Sequence, residues 1–295
     1  MNLLIDGSSL LWRVHHANKS QKREGVTNTI YSFIKSINAF ANTYNSRDIY
    51  IAWDKKLKKK NSNFRETNTE GSYKGQRDKT EAQKVYASQE DIHKVTEMLG
   101  CKNLYPWTME ADDIIAWLST TLEGSNTIIT TDKDMLQLID SKTCVYNPQK
   151  KSTIDKANFE TSLGMPIEHF LAYKAILGDY SDNIRGINGC GPVNSKRMAK
   201  LWIETPDEVN EENTKIIEDN IKLMDLSIGY TLAGPSEVEC YKRQIDYYKD
   251  LDTDMEAFTV VCKEKEFNSI LKSIDNWKRT FEKPHLLKIL GDLAF

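Results

Sequence analysis

Short apolar runs alternate with longer helix-period patterns through the first half of the chain. Asn2 to Ile5, Ile49 to Trp53 and Thr127 to Thr130 read as buried strands. Cys101 to Tyr105 and Cys144 to Tyr146 are weaker strand candidates, and helices are predicted over Thr27 to Tyr44, Glu81 to Leu99 and Ala111 to Leu122. Strands alternating with helices predict an α/β fold with a mostly parallel central sheet flanked by helices. From Ile154 onward strands become scarce, and Ile167 to Leu177 and Val193 to Trp202 are the best-defined helical segments. The expected division is therefore an α/β core over residues 1–150 and a helical region over 151–295.

One interval breaks this rhythm. Lys55 to Arg77 is polar, with almost no apolar periodicity, and carries eight basic residues (Lys55, Lys56, Lys58, Lys59, Lys60, Arg65, Lys74, Arg77) against Glu66 and Glu70. The whole chain has a net charge of -3, so this surplus is local, as expected for a polyanion contact. A solvated loop with a chance charge run is the plainer alternative.

The 295 residues can bury a sizeable core. The five cysteines are scattered and never spaced C-x-x-C, which argues against a disulfide framework or a structural zinc site. No apolar span of membrane length occurs, and a soluble protein of a reducing cytoplasm, with no membrane partner, is expected.

Acids collect where the predicted strands end. Asp6, Asp54 and Asp132 follow three of them, with Asp134 close behind, and open parallel sheets bind ligands at the carboxyl ends of their strands. Glu110, Asp112 and Asp113 open a helix, and Asp179 and Asp182 lie three residues apart beside a glycine-rich turn. Each could be a simple helix cap or turn residue. Nine acids on one edge, however, cannot all stay ionised without cations, and all-oxygen ligation selects hard ions, Mg²⁺ or Mn²⁺. Gly186, Gly189 and Gly191 would let backbone N–H groups approach a phosphate at the start of the helix carrying Lys196, Arg197 and Lys200. There is no GxxxxGK[ST] loop, no GxGxxG after the first strand and no G-x-S-x-G elbow, and the five histidines are not arranged as metal ligands.

These motifs together resemble the structure-specific 5′-nuclease superfamily, near the flap endonucleases of bacteriophages and the 5′-nuclease domain of bacterial DNA polymerase I. The matching pieces are LLIDGSSLLWR at Leu3 to Arg13, Asp54, FRETNTEGSYKGQR at Phe64 to Arg77, EADDIIAWL at Glu110 to Leu118, TTDKDMLQL at Thr130 to Leu138 and LAYKAILGDYSDNIRGINGCG at Leu171 to Gly191. The resemblance implies a PIN-like nuclease core with a helical arch over residues 55–90 and a helix-hairpin-helix element over 178–202. It implies that Asp6, Asp54, Glu110, Asp112, Asp113, Asp132, Asp134, Asp179 and Asp182 hold two or more Mg²⁺ ions, with Mn²⁺ able to substitute. Tyr73, Lys74 and Arg77 resemble catalytic positions at the foot of the arch, Arg65 would touch DNA, and the glycine loop with Lys196, Arg197 and Lys200 would grip duplex phosphates beside a bound K⁺. Arg185 stands where many relatives have proline.

The implied activity is flap endonuclease and 5′-3′ exonuclease cleavage of branched DNA, in replication or repair. RNA primer removal from RNA–DNA hybrids and contacts with replication proteins belong to the same expectation. A monomer is expected, in the host cytoplasm if phage-encoded. Two rivals stand beside it: a non-catalytic DNA-binding scaffold, disfavoured by the intact acid set, and a PIN-type ribonuclease, usually shorter and without the glycine loop.

Overall fold

In the computed structural model, residues 1–46, 48–54, 79–249 and 251–282 are described. Six strands form one sheet: β1 (Asn2–Asp6), β2 (Asp48–Ala52), β3 (Lys102–Leu104), β4 (Asn126–Ile129), β5 (Thr143–Asn147) and β6 (Ser152–Ile154). Their order is β3-β2-β1-β4-β5-β6, parallel except for the β5–β6 pair. The chain steps outward from β1 to β3 and then returns to β1's other side, so the direction of winding reverses between β1 and β4. A crevice opens at such a reversal, outside the carboxyl ends of the strands.

Helices α1 (Gly7–Ser20), α2 (Val26–Tyr44), α3 (Lys79–Tyr86), α4 (Gln89–Met98) and α5 (Ala111–Thr121) belong to the crossovers. Beyond the sheet come α6 (Phe159–Leu163), α7 (Phe170–Leu177), α8 (Pro192–Glu204), α9 (Glu211–Met224) and α10 (Leu226–Leu232). The described chain closes with α11 (Pro235–Lys249), α12 (Met255–Glu264), α13 (Asn268–Leu271) and α14 (Ile274–Phe281). A two-stranded hairpin, β7 (Gly178–Asp179) with β8 (Ile184–Arg185), separates α7 from α8.

Alternation along β1 divides the core. Leu3 and Ile5 face a cluster with Ile49, Ile51 and Trp53, covered by α1, α2, α4 and the last three helices. Leu4 faces the opposite cluster with Tyr50, Ala52 and Ile128, covered by α5, α10 and α11. All three β1 residues are fully buried, and each such side chain contributes about 1.5–3 kcal/mol. A third cluster, including Ala175, Ile176, Ala199 and Ile217, joins α7, α8 and α9.

The expected α/β architecture with its mostly parallel sheet is present, with local differences. The pattern over 81–99 is two helices, broken at Ala87–Ser88, where the Ser88 hydroxyl donates to the Val85 carbonyl and competes with helix continuation. The sheet also runs past position 150: β6 is a polar, three-residue edge strand whose pairing comes from its hairpin with β5, too short for periodicity to reveal. Gly7 is demanded by packing, since a Cβ there would stand 2.8 Å from Ile51 and Trp53 side-chain carbons, so only glycine lets α1 start flush against β2.

Candidate metal centre and nucleic-acid interface

The crevice between β1 and β4 is where the acids meet. Asp6 ends β1 and caps α1, accepting from the Ser9 N–H at 2.8 Å, while its second oxygen accepts from the Thr130 hydroxyl at 2.9 Å. Thr130 Oγ1 in turn accepts from the Asp132 N–H at 3.0 Å, so one hydroxyl fixes the acids on both sides of the reversal. Asp54, just past β2, accepts from the Ala111 N–H at 3.2 Å and so tethers the first turn of α5. Asp6, Asp54, Asp112 and Asp132 line a single pocket of about 620 Å³, together with Trp12, Tyr86 and Glu81.

The electrostatics of this pocket are unfavourable as it stands. Burial pushes the Asp6 carboxyl up to about 7; the Ser9 N–H opposes this, and Asp54 and Asp132 add to it. A cation in the pocket would remove that penalty, and an all-oxygen donor set suits a hard divalent ion. As the side chains stand, no three His, Cys, Asp or Glu among the described residues converge tightly enough to ligate one ion.

A second acidic group lies beside the first and is organised differently. Lys174, on α7, places its ammonium 2.7 Å from Asp134 Oδ1 and 3.0 Å from Asp179 Oδ2, with all three side chains mostly buried. Burial raises Asp134, aided by Asp132, with Lys174 opposing. Burial also pulls on Asp179, but the Ser181 hydroxyl at 2.6 Å and Lys174 outweigh it and hold that carboxyl below its usual value. For Lys174 itself burial is the adverse influence, overcome by the two carboxylates, which keep the ammonium charged. The Asp182 N–H points at Asp179 Oδ1 at 3.3 Å.

Two of the nine acids have evident local duties. Asp113 is fully buried and accepts from the Glu110 N–H at 3.1 Å, closing the start of α5, and it is not among the residues lining the pocket. Glu110 is the residue before that helix. Lys174 and Thr130 escaped the sequence reading. Lysine at i−5 from Asp179 is an ordinary helix residue by pattern, and a threonine at a strand end has good β propensity, so only the fold reveals their partners.

The glycine-rich turn proves to be the joint between α7 and α8. Gly178 has φ 77°, and a Cβ on it would overlap the backbone of Gly186 and Ile184, while a Cβ on Gly186 would overlap the Leu177 and Ile176 carbonyls at the end of α7. Ile187 N–H donates to Ile176 O at 2.8 Å, and the buried Asn220 amide bonds both Ala175 O and Arg185 O at 2.8 Å. The missing side chain of Gly186 thus serves this crossing. Gly189, with φ 77°, and Gly191, which precedes α8, have open space around them. Lys196 turns inward to the Leu163 carbonyl, whereas Arg197 is exposed and Lys200 reaches Glu204 at 3.8 Å. Of the arch expected over 55–90, residues 55–78, with Arg65, Tyr73, Lys74 and Arg77, lie outside the described residues, and 79–90 comprise α3 and the start of α4.

With the geometry in view, comparison with known proteins decides the family. The 5′-3′ exonuclease family, through its N-terminal resolvase-like domain, matches residues 1–164. The chain belongs to the 5′-3′ exonuclease family. It is 33% identical over 248 residues to a 5′-3′ exonuclease of Buchnera aphidicola, covering 82% of this chain and 81% of the relative. To the Thermus thermophilus thermostable DNA polymerase I it is 26% identical over 283 residues, covering 91% of this chain and 32% of the polymerase. In fold it is similar to the T5 5′-exonuclease solved with zinc, with TM-score 0.69 at 20% identity, covering 84% of this chain and 99% of the other. The bacteriophage T5 D15 flap endonuclease, solved as a pseudo-enzyme-product complex with DNA and metal ions, gives 0.69 at 20% identity, covering 85% and 100%. Among the described residues no helix is long and apolar enough to cross a membrane.

Proposed function

We propose that this 5′-3′ exonuclease family member is a Mg²⁺-dependent flap endonuclease and 5′-3′ exonuclease, cutting where a 5′ single strand meets a duplex. The observation that carries the reading is the pocket at the β1–β4 reversal, which Asp6, Asp54, Asp112 and Asp132 line together, with the Asp6 carboxyl pushed up to about 7. Relatives named for exonuclease activity and neighbours solved with DNA and divalent metals support it.

Asp6, Asp54, Asp112 and Asp132 would hold the ions, with Glu110, Asp134, Asp179 and Asp182 extending the ligand set. Bound divalent ions supply a water of lowered pKa and offset charge on the scissile phosphate. Thr130 keeps Asp6 and Asp132 turned to a common space, and Asp54 holds the start of α5, whose Asp112 lines the same pocket. Lys174 prevents Asp134 and Asp179 from repelling one another and the incoming phosphate. Attack of water on phosphorus breaks the P–O3′ bond and leaves a 5′ phosphate and a 3′ hydroxyl.

The exposed backbone at Gly189 and Gly191, ahead of the thirteen-residue α8, with Arg197 and Lys200 on that helix, would take duplex phosphates as a helix-hairpin-helix grip. By their motif, Tyr73, Lys74, Arg77 and Arg65 would receive the single strand and stabilise charge on the phosphate. Incubation of a labelled 5′-flap substrate with Mg²⁺ should give a cut at the junction, abolished by EDTA. Flap binding without any Mg²⁺-dependent cut would instead establish a DNA-binding scaffold.

A further inference from the structure

The loop from Tyr105 to Met109 carries the chain from β3 to Glu110, so it lies on the same carboxyl edge of the sheet as Asp54. It is fastened to α11 at two points. Gln244 accepts from the Tyr105 N–H and donates to the Tyr105 carbonyl, both at 2.8 Å. Glu237, fully buried, accepts from the N–H groups of Trp107 and Thr108 and from the Thr108 hydroxyl, all at 2.8 Å. Positions 237 and 244 are two helical turns apart and so share one face of α11.

A buried carboxylate with three donors is a costly way to hold a surface loop. What it holds is Trp107, 50% exposed, across a groove of about 560 Å³ from Tyr247, 63% exposed, and Arg243. The groove has a firm aromatic lining: Tyr247 stands edge-on to Tyr248 at 5.0 Å, and Tyr248 Oη lies 3.3 Å from His93 Nε2. Two large, partly exposed rings on an immobilised backbone, beside the exposed Arg243 guanidinium, whose Nε lies 3.4 Å from Glu239 Oε1, match the flat faces and phosphates of unpaired nucleotides. A folded protein partner would more naturally meet a broader apolar patch.

We propose that Trp107, Tyr247 and Arg243 form a stacking platform for unpaired bases in the single-stranded arm of the DNA substrate. The platform rests on the nuclease reading above, since the loop that carries it leads directly into Glu110 and the catalytic pocket. Stacking would be sequence-tolerant, because every base offers a π face, and would guide the arm along the sheet edge.

The test uses the full chain in EDTA and a fluorescein-labelled oligothymidylate, read by anisotropy. The double variant Trp107→Ala, Tyr247→Ala should bind roughly five- to a hundredfold more weakly than wild type, and Trp107→Phe should recover much of the loss. In Mg²⁺, the ratio of kcat/KM on a long flap to that on a one-nucleotide flap should fall by a similar factor in the double variant. Arg243→Ala, on the exposed face of α11, should weaken oligothymidylate binding several-fold and keeps the test open if the double variant folds poorly. Oligothymidylate binding and a flap-length ratio equal to wild type in these variants would overturn the platform while leaving the nuclease intact. Wild-type protein that cuts no flap of any length would instead overturn the reading on which the platform rests.

Discussion

Two neighbouring groups of acids in this molecule handle the same problem in opposite ways. Around Asp6 the buried carboxyl is met by a neutral N–H and a neutral hydroxyl, while Asp54 and Asp132 are the charges that press on it. Around Asp179 a lysine from α7 lies between two carboxylates, holding Asp179 below its usual value and opposing the upward push of burial on Asp134. The first group is strained until something positive arrives; the second carries its own counterion. The difference separates carboxylates short of a counterion from carboxylates that already hold one, although the acids in both are of the same residue type.

Removing the internal cation is the harshest way to break this contrast. Lys174→Ala leaves Asp134 and Asp179 facing each other mostly buried, and metal-free protein should lose about 3–5 kcal/mol in urea denaturation. Unchanged stability would mean that the lysine is not their counterion. A milder effect follows from pH. The folded carboxyl of Asp6 sits at about 7 against an ordinary 3.8, so its protonated form is favoured by folding. Its contribution is complete below about 4 and is lost as pH rises through 7. In EDTA the unfolding free energy should therefore fall by on the order of a few kcal/mol between pH 5 and pH 8, seen as a falling Tm, a decline that Asp6→Asn should remove and added Mg²⁺ should reverse. A Tm that rises across this range would sink the account of the pocket. The gentlest probe is Thr130→Val, which strips the hydroxyl from between Asp6 and Asp132. A loss of about 1–3 kcal/mol is expected, with roughly 10–100-fold weaker divalent-ion dependence of cleavage. Equal metal titrations of variant and wild type would show that the hydroxyl does not orient the acids.

Much of this arrangement was legible beforehand. The buried runs at β1, β2 and β4 and the acids that follow them located the sheet edge, because apolar periodicity and strand-end chemistry are both local signals. Long-range partners left no such trace. Nothing near Lys174 in the chain distinguishes it from a surface lysine until α7 is laid beside the turn at Asp134. Asp113 looked like its neighbour Asp112, yet one turns into the start of the helix and the other lines the pocket; a rotation of about 100° per residue separates duties that a motif writes side by side. Gly186 was read for its openness to a phosphate, whereas its bareness is used by the backbone of α7, a contact that no spacing rule encodes.

The place of β4 next to β1 has a consequence for the birth of the enzyme. Asp6 is made more than a hundred positions before its partner Thr130 and neighbour Asp132, and Asp179 follows later still. Parallel pairing across that separation is slow, since loop closure precedes its reward. A chain emerging from the ribosome thus cannot bring Asp6 and Asp132 together until the residues of β4 have followed those of β1 by more than a hundred positions. In refolding experiments, cleavage should return no earlier than protection of the β1 and β4 amides from hydrogen exchange.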